Sequence, residues 1–541
     1  MLKIKQCSSL EKIFSDEEPH CAAFDGCNAL IGEKISFQTA LWSDKAVCVL
    51  MDSRGSAAQY TQQYAVREMP SARPCGDASD DYYLRKEPGM FPDLLRPAGE
   101  SIQLEAGKWT SVFFTFTCPA DQAAAYVLSV VFVCGGDSVR ADFRFAPVDA
   151  KCEPVRCFKC THWFHSDCLA AYYNVSVFSE AYWEIVENYM RCYAAYGSNM
   201  ILTPLFTPPL DTEVGGERLT VQLVGVTRDG DRYRFDFSKL DRWLDLCARC
   251  GIEYYELSHF FTQWGAKSAP KIMGTVDGEE IRLFGWETDA GGADYTSFLT
   301  QFAAVLNPYL QNRGLVDHCF VHISDEPDDE NSADYGLHAR LIKKLFPKIK
   351  TIDALSSLKF YRQGFVDVPI PSNNHIEAFI GHVPELWTYY CCGQSSDYVS
   401  NAFFAMPSQR IRVLGCQLWK FRCKGFLQWG FNFWNSQYSK QAIDPFQVTD
   451  AGAAFPSGDP FLVYPGEDGK PLLSLRLKIF YEAMQDFYAL NLLESRIGYD
   501  AALAVLEDGI DPITFKSYPH SASWHLDMRR RVNERIAQCK N

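Results

Sequence analysis

The chain has 541 residues and a formal net charge of −15. It is too long for one hydrophobic core and too acidic for a nucleic-acid partner. It holds no run of about 18 apolar residues, so no helix inserts in a membrane. The opening residues lack a signal-peptide core, and with 20 cysteines the expectation is a cytoplasmic protein with free thiols.

Residues 1–150 read as an N-terminal β-sandwich domain. KISFQTALWS, KAVCVLMDS, TSVFFTFT, AYVLSVVFVC and VRADFRFAPV are short β-branched or aromatic runs separated by Gly, Pro, Asp and Ser clusters. The proline-rich stretch from Met69 to Glu100 reads as a long irregular excursion between strands.

Residues 151–500 alternate strands and helices. CTHWFHSD is a predicted strand. Ser179 is placed to cap a helix with Trp183, Val186, Met190 and Tyr193 on one face, and NMILT follows as a strand. A helix near Ser238 to Cys250 leads through Gly251 into IEYYEL, and a helix from about Tyr295 to Leu310 leads into FVHISDEP. KTIDA, LWTYYC, IRVLG and GFLQWGFNF are further strands. The count approaches eight, and no Gly-rich nucleotide loop follows any of them. The expected fold class is therefore α/β, a (β/α)8 TIM-like barrel behind the sandwich. Residues 501–541 form a C-terminal helical extension.

In such a fold the carboxyl ends of the strands make the pocket. That edge collects Trp163, His165, Glu256, His259, Tyr389, Gln417, Trp419, Trp429 and Asn432, an aromatic and polar set poor in Lys and Arg. It suits a neutral hydroxylated ligand better than a phosphate. The focus is the adjacent pair Asp325 and Glu326, which ends a very apolar strand. A carboxylate enclosed there has a raised pKa and can serve as a general acid. Asp328, Asp329 and Glu330 read as acids that favour a helix N-terminus.

No cofactor and no metal is expected. Cys157-x2-Cys160 and Cys247-x2-Cys250 lie too far apart for a zinc ribbon, and the second pair falls on the apolar face of a helix. His162 and His165 would point to opposite faces of one strand, and His322 reads as a hydrogen-bonded core histidine. Cys391 and Cys392 read as inert.

A glycosidase with a protein nucleophile needs a second carboxylate across the scissile bond. Residues 398–443 contain no Asp or Glu, so the last two predicted strands offer none; Glu256 remains as a partner from an earlier strand. The other solution uses the substrate's own 2-acetamido oxygen as nucleophile, and consecutive acids can serve that chemistry from one side of the sugar ring.

HISDEP, GFLQWGFNFWNS and SGDPFLVYPGEDGKPLLSLRL resemble a family long labelled a domain of unknown function, which contains glycoside hydrolase family 123. The likeness extends through THWFHSDCL, ILTPLFTPPLDT and SHFFTQWGAKSAPKI and covers about Val155 to Leu493. The resemblance implies a β-N-acetylgalactosaminidase with Glu326 as general acid and Asp325 orienting the acetamido arm. The resulting expectation is a retaining exo-glycosidase that removes a terminal β-linked N-acetylhexosamine, GalNAc first among them, from a glycan or glycoconjugate. Trp429 and Trp264 are candidate stacking platforms. Tyr389 is a candidate donor to the acetamido group, and His165, His259 and Asn432 are candidate ligands of sugar hydroxyls. Two alternatives stand beside this: a glycosidase with a protein nucleophile such as Glu256, and a sugar-binding protein without turnover.

Overall fold

Alternating apolar residues in the N-terminal region build two sheets that close on each other. The computed structural model describes every residue except 121–123, 264, 328, 329, 331, 395, 540 and 541. One sheet has seven strands in the order Leu2–Ser8, Lys34–Ser43, Trp109–Thr117, Thr61–Ser71, Gly89–Pro97, Pro471–Ser474 and Tyr464–Pro465. The other has five, in the order Gly26–Ile31, Asp137–Lys151, Tyr126–Cys134, Val47–Arg54 and Ser101–Leu104. Phe37 meets Phe143, and Phe116 meets Phe145, each at 4.4 Å between ring centroids, so the two inner faces share one aromatic core. The stretch from Met69 to Glu100 is less irregular than expected. It holds the end of one strand and the whole of Gly89–Pro97, in which Pro92 sits beside the interruption of the ladder between Arg67 and Glu68 and Pro97 stands at the strand end.

The rest of the chain is a mixed α/β fold. Eight short strands follow in sequence: β1 (Lys159–His162), β2 (Met200–Thr203), β3 (Tyr254–Leu257), β4 (Cys319–His322), β5 (Lys350–Ala354), β6 (Val368–Ile370), β7 (Trp387–Tyr389) and β8 (Gly425–Gln428). Strands β2 to β6 pair in order, every pair parallel. β8 lies between β1 and β7, again parallel to both. A parallel bridge from Ser372 to Tyr389 joins the end of β6 to β7, and the Asn199 N–H donates to the Cys160 carbonyl at 3.0 Å between β1 and the start of β2. These strands are buried along their whole length apart from their first residues, which is why their sequences read as near-continuous apolar runs.

Helices alternate with them: α1 (Ser166–Tyr173), α2 (Glu180–Ala195), α3 (Ser238–Cys250), α4 (Ala293–Asn312), α5 (Ser332–Leu345), α6 (Leu358–Arg362), α7 (Ser408–Lys420) and α8 (Leu475–Ile497). Ser179 caps α2 by accepting from the Tyr182 N–H, as its position in the sequence suggests. Two short hairpins, 225–236 and 272–284, join into a separate four-stranded sheet after β2 and β3. Residues 499–506 and 522–538 are the helices α9 and α10.

Two strand expectations are corrected. CTHWFHSD is a strand only to His162, because Ser166 already opens α1. IRVLG lies inside helix α7. An apolar run of that length fits a buried helix as well as a strand. Gly415 lets α7 touch α8, since a Cβ there would stand 1.9 Å from the Ala483 carbonyl oxygen. The parallel strand that was not foreseen is β6, whose Val-Pro-Ile sequence hides it. Gln417 and Trp419 therefore leave the pocket: Gln417 donates to the Thr514 carbonyl, and Trp419 Nε1 donates to Glu494.

Candidate active site

β4 brings His322 to its end, and the chain then turns through Ser324, Asp325 and Glu326. Three hydrogen bonds fix that turn. The Ser324 N–H donates to Asp353 Oδ2 at 3.1 Å, its hydroxyl to the Thr262 carbonyl at 2.8 Å, and the Glu326 N–H to the Ala354 carbonyl at 3.1 Å. Glu326 adopts φ +47°, a left-handed conformation that a non-glycine residue holds only when its surroundings impose it. The turn sends the two neighbouring carboxylates to different depths. Asp325 is 4 % exposed, whereas Glu326 is exposed.

Both line one cleft, with Trp163, His165, Asp211, Gln263, Tyr389, Cys391, Cys392, Trp429, Tyr438 and Phe455 among its walls. Gln263 Nε2 donates to Asp325 Oδ2 at 2.5 Å, while its Oε1 accepts the Asp211 N–H at 2.5 Å. One amide thus ties Asp325 to the loop after β2. The Tyr389 hydroxyl donates to Glu326 Oε1 at 2.8 Å. Burial, and after it the Glu326 charge, hold the Asp325 carboxyl well above the usual carboxylate range, against the pull of His322 and the Gln263 hydrogen bond.

Trp429 is half-buried, with Nε1 donating to Asp459 Oδ2 at 2.9 Å. Phe433 and Phe455 meet its ring edge-on at 5.0 and 5.3 Å, so the indole is held by packing as well as by its hydrogen bond. Burial pushes Asp459 up to about 7. His165 is oriented by its neighbours. Its Nδ1 lies 3.1 Å from the Arg218 guanidinium, which only donates, so Nδ1 accepts and Nε2–H donates to the Trp429 carbonyl at 2.9 Å. Burial and then the Arg218 charge push His165 down to about 4, so its ring is neutral. Arg218 in turn is held by Asp167 in a bidentate pair with both bonds at 2.8 Å.

Beneath Trp163 lies a second, closed cluster. Glu256 is 0 % exposed; its Oε1 accepts from Trp163 Nε1 at 2.8 Å and faces His322 Nδ1 at 2.7 Å, and its Oε2 accepts from Thr161 at 3.3 Å. His322 Nε2 stands 3.4 Å from Asp353 Oδ1. The core reading of His322 agrees with this placement. Burial opposes charge on that ring, but the hydrogen bonds to Asp353 and Glu256 outweigh it and carry its pKa up to about 10. His259 packs on His322 at 4.0 Å between centroids, tilted by 32°; burial and the His322 charge hold it well below the ordinary imidazole value.

The site residues inferred from sequence therefore divide. Asp325, Glu326, His165, Tyr389 and Trp429 meet at the cleft. His259 and Asn432 do not line it. His259 is 1 % exposed under Trp163, and the Asn432 amide is committed to both the N–H and the carbonyl of His165, at 2.9 and 3.0 Å. Asn432 acts on the pocket through His165, since a fully buried amide has no free edge for a sugar. Trp264 lies outside the described residues, as do Asp328 and Asp329. The sequence reading missed Asp211, Gln263, Cys391 and Cys392 as cleft residues. Asp211 is a third carboxylate there, and burial pushes it up to about 6. Its signal was present in PPLDT, in the loop after β2, but the residues between hide how the loop folds back.

A family model for the catalytic domain of glycoside hydrolase 123 matches residues 163–493. Among solved structures, a family 123 glycoside hydrolase from Clostridium perfringens, described in terms of glycolipid glycan hydrolysis, superposes with a TM-score of 0.74 at 14 % identity, over 99 % of this chain and 98 % of that one. β-glucuronidase 3 from Bacteroides uniformis and a β-glucuronidase from Parabacteroides merdae match at 14 and 11 % identity, with TM-scores of 0.32 and 0.31. They cover 85 and 84 % of this chain and 51 and 50 % of theirs. Comparison with curated proteins gave no match.

Proposed function

The chain belongs to glycoside hydrolase family 123 and is a glycoside hydrolase, and we propose that it releases a terminal β-linked N-acetylhexosamine, GalNAc first among them, with the substrate's 2-acetamido group as nucleophile. Membership sets aside the reading as a sugar-binding protein without turnover. The frame proposed is a closed (β/α)8 barrel over about 151–500. It sits behind an N-terminal sandwich over about 1–150 and is followed by a helical extension over about 501–541. The ordered parallel neighbours from β1 to β8 support this.

One observation carries the mechanism: two consecutive carboxyls in one aromatic cleft, the first buried and hydrogen-bonded, the second exposed. In the proposed reaction Glu326 gives its proton to the departing glycosidic oxygen as that bond breaks. The acetamido carbonyl oxygen attacks the anomeric carbon from the other side of the ring. Asp325, deeper in the cleft, accepts the acetamido N–H and stabilises the positive charge that grows on the closing oxazolinium ring. Water then opens that ring, with the Glu326 carboxylate taking its proton, and the product keeps the starting configuration. Trp429 offers the apolar face on which a sugar ring stacks. The glycolipid glycans associated with the Clostridium perfringens enzyme make a glycolipid a reasonable source of such a terminal sugar. Twenty free thiols suit a reducing compartment, and cytoplasmic residence belongs to the proposal.

Glu256, the earlier candidate for a protein nucleophile, is sealed under Trp163 and His322. That second reading passes to Asp211, which does line the cleft. A panel of nitrophenyl β-glycosides tests the proposal. Rapid hydrolysis is expected for 2-acetamido sugars, GalNAc above GlcNAc, and none for the 2-hydroxy counterparts. Equal turnover of galactoside and N-acetylgalactosaminide would refute it.

A further inference from the structure

The mechanism asks Asp325 to be anionic in a place that opposes charge. Asp325 is 4 % exposed and adjoins a second carboxyl. The groups that bear on it are Glu326 beside it, Asp353 from β5, His322 from β4 and the neutral Gln263 amide. Of these, His322 is the only group able to carry positive charge. Atoms of His322, Asp325 and Asp353 all approach within 4.8 Å of one another.

His322 is built to be charged. Carboxylate oxygens face both ring nitrogens: Glu256 Oε1 is hydrogen-bonded to Nδ1 at 2.7 Å, and Asp353 Oδ1 stands 3.4 Å from Nε2, two buried atoms that have no hydrogen-bond partner and that a proton on Nε2 would join. Only a doubly protonated ring presents a donor to each. The remaining carboxylate oxygens take neutral donors. Thr161 reaches Glu256 Oε2, while Tyr335 at 2.8 Å and the Ser324 N–H reach Asp353 Oδ2. His259, packed on the ring, is neutral through burial and through the His322 charge itself.

We propose that His322 is a positioning residue, an imidazolium clamped between Glu256 and Asp353 whose charge keeps Asp325 ionised while Glu326 holds the proton. The inference rests on the proposed role of Asp325 as an anion. After burial, the largest influence raising Asp325 is the charge on Glu326. A protonated Glu326 removes that influence and leaves burial set against His322. The same clamp fixes the turn, because Asp353 binds both His322 and the backbone of Ser324.

Two measurements test this. In the free protein, ring-nitrogen NMR should find His322 doubly protonated from about pH 6 to about pH 8, where an ordinary histidine loses its proton. A neutral His322 in that window overturns the inference whatever the enzyme's substrate is. In kinetics, His322→Gln should move the acid limb of the kcat/KM profile to higher pH by about one unit. The resulting loss of about 10-fold on the acid side should recover as pH rises. Glu256→Gln keeps an acceptor for His322 and Trp163 but removes the anion that offsets the ring, so its acid limb should move the opposite way. A pH-independent loss in both variants would show a structural role only and overturn the inference. If His322→Gln does not fold, the Glu256→Gln profile and the NMR titration decide. Failure of the acetamido mechanism itself would appear in the wild-type glycoside panel, independently of the His322 titration.

Discussion

At the scale of residues, the two acids differ through their backbone. Consecutive side chains at a strand end point different ways, and the left-handed turn at Glu326 widens that difference. Asp325 goes down toward His322 and Gln263; Glu326 goes outward, where Tyr389 holds one of its oxygens. Replacing Glu326 by Gln keeps that hydrogen bond and removes the proton donor. We expect kcat on an unactivated disaccharide to fall by ~10²–10⁴-fold with folding intact, and nitrophenyl substrates to recover part of the loss. Full activity on the disaccharide would contradict the assignment. The pair itself was legible, since two acids ending the run FVHIS have few other uses. Which of them is buried was not, because that depends on one φ angle. Nor did the pattern of sequence distinguish residues that line the cleft from those that hold them. Asn432 and His259 stand beside cleft residues in the chain, but one clamps His165 and the other packs on His322.

At the scale of elements, the catalytic half is stitched to the N-terminal sheets after β8. Pro471–Ser474 adds an antiparallel strand beside Gly89–Pro97, and Ser474 caps the following helix α8. The first turn of α8 carries Arg476, fully buried and paired with Asp93 at 2.9 and 3.0 Å. Arg476 also donates to the carbonyls of Gly458 and Phe461, so one guanidinium gathers the segment that supports Trp429 through Asp459. Asp93→Ala leaves that charge buried without its partner. A destabilisation of about 3–5 kcal/mol is expected in chemical denaturation. A change below about 1 kcal/mol would show that the carbonyls alone satisfy the arginine. Most parallel strands were readable from their apolar runs and flanking glycines. The exception at β6 and α7 follows from physics that a single sequence does not display. A three-residue strand with a central proline has no periodicity, and a helix buried on nearly all sides looks like a strand.

At the scale of the molecule, the N-terminal sheets, the parallel strands and the C-terminal helices pack against one another. Arg529 on α10 donates to Glu33 at the start of the chain, and Arg412 on α7 pairs with Asp486 on α8. Both pairs are buried and join elements far apart in the chain. Among the described residues no helix is long and apolar enough to cross a membrane. The mixed α/β character of the fold was legible in the sequence. The return of residues 464–474 to complete the first sheet was not, because strand pairing over that separation leaves no local trace.

The central claim is that the sugar, and not the protein, supplies the nucleophile. The most direct measurement is the rate of hydrolysis of one nitrophenyl β-N-acylgalactosaminide series in which the acetyl methyl carries none, one, two or three fluorines. Each fluorine weakens the carbonyl oxygen as a nucleophile. The account predicts a steep monotonic fall in kcat, more than about 100-fold across the series, with no sugar attached to the protein by mass spectrometry. A flat series, or a glycosyl ester trapped on Asp211, would contradict it.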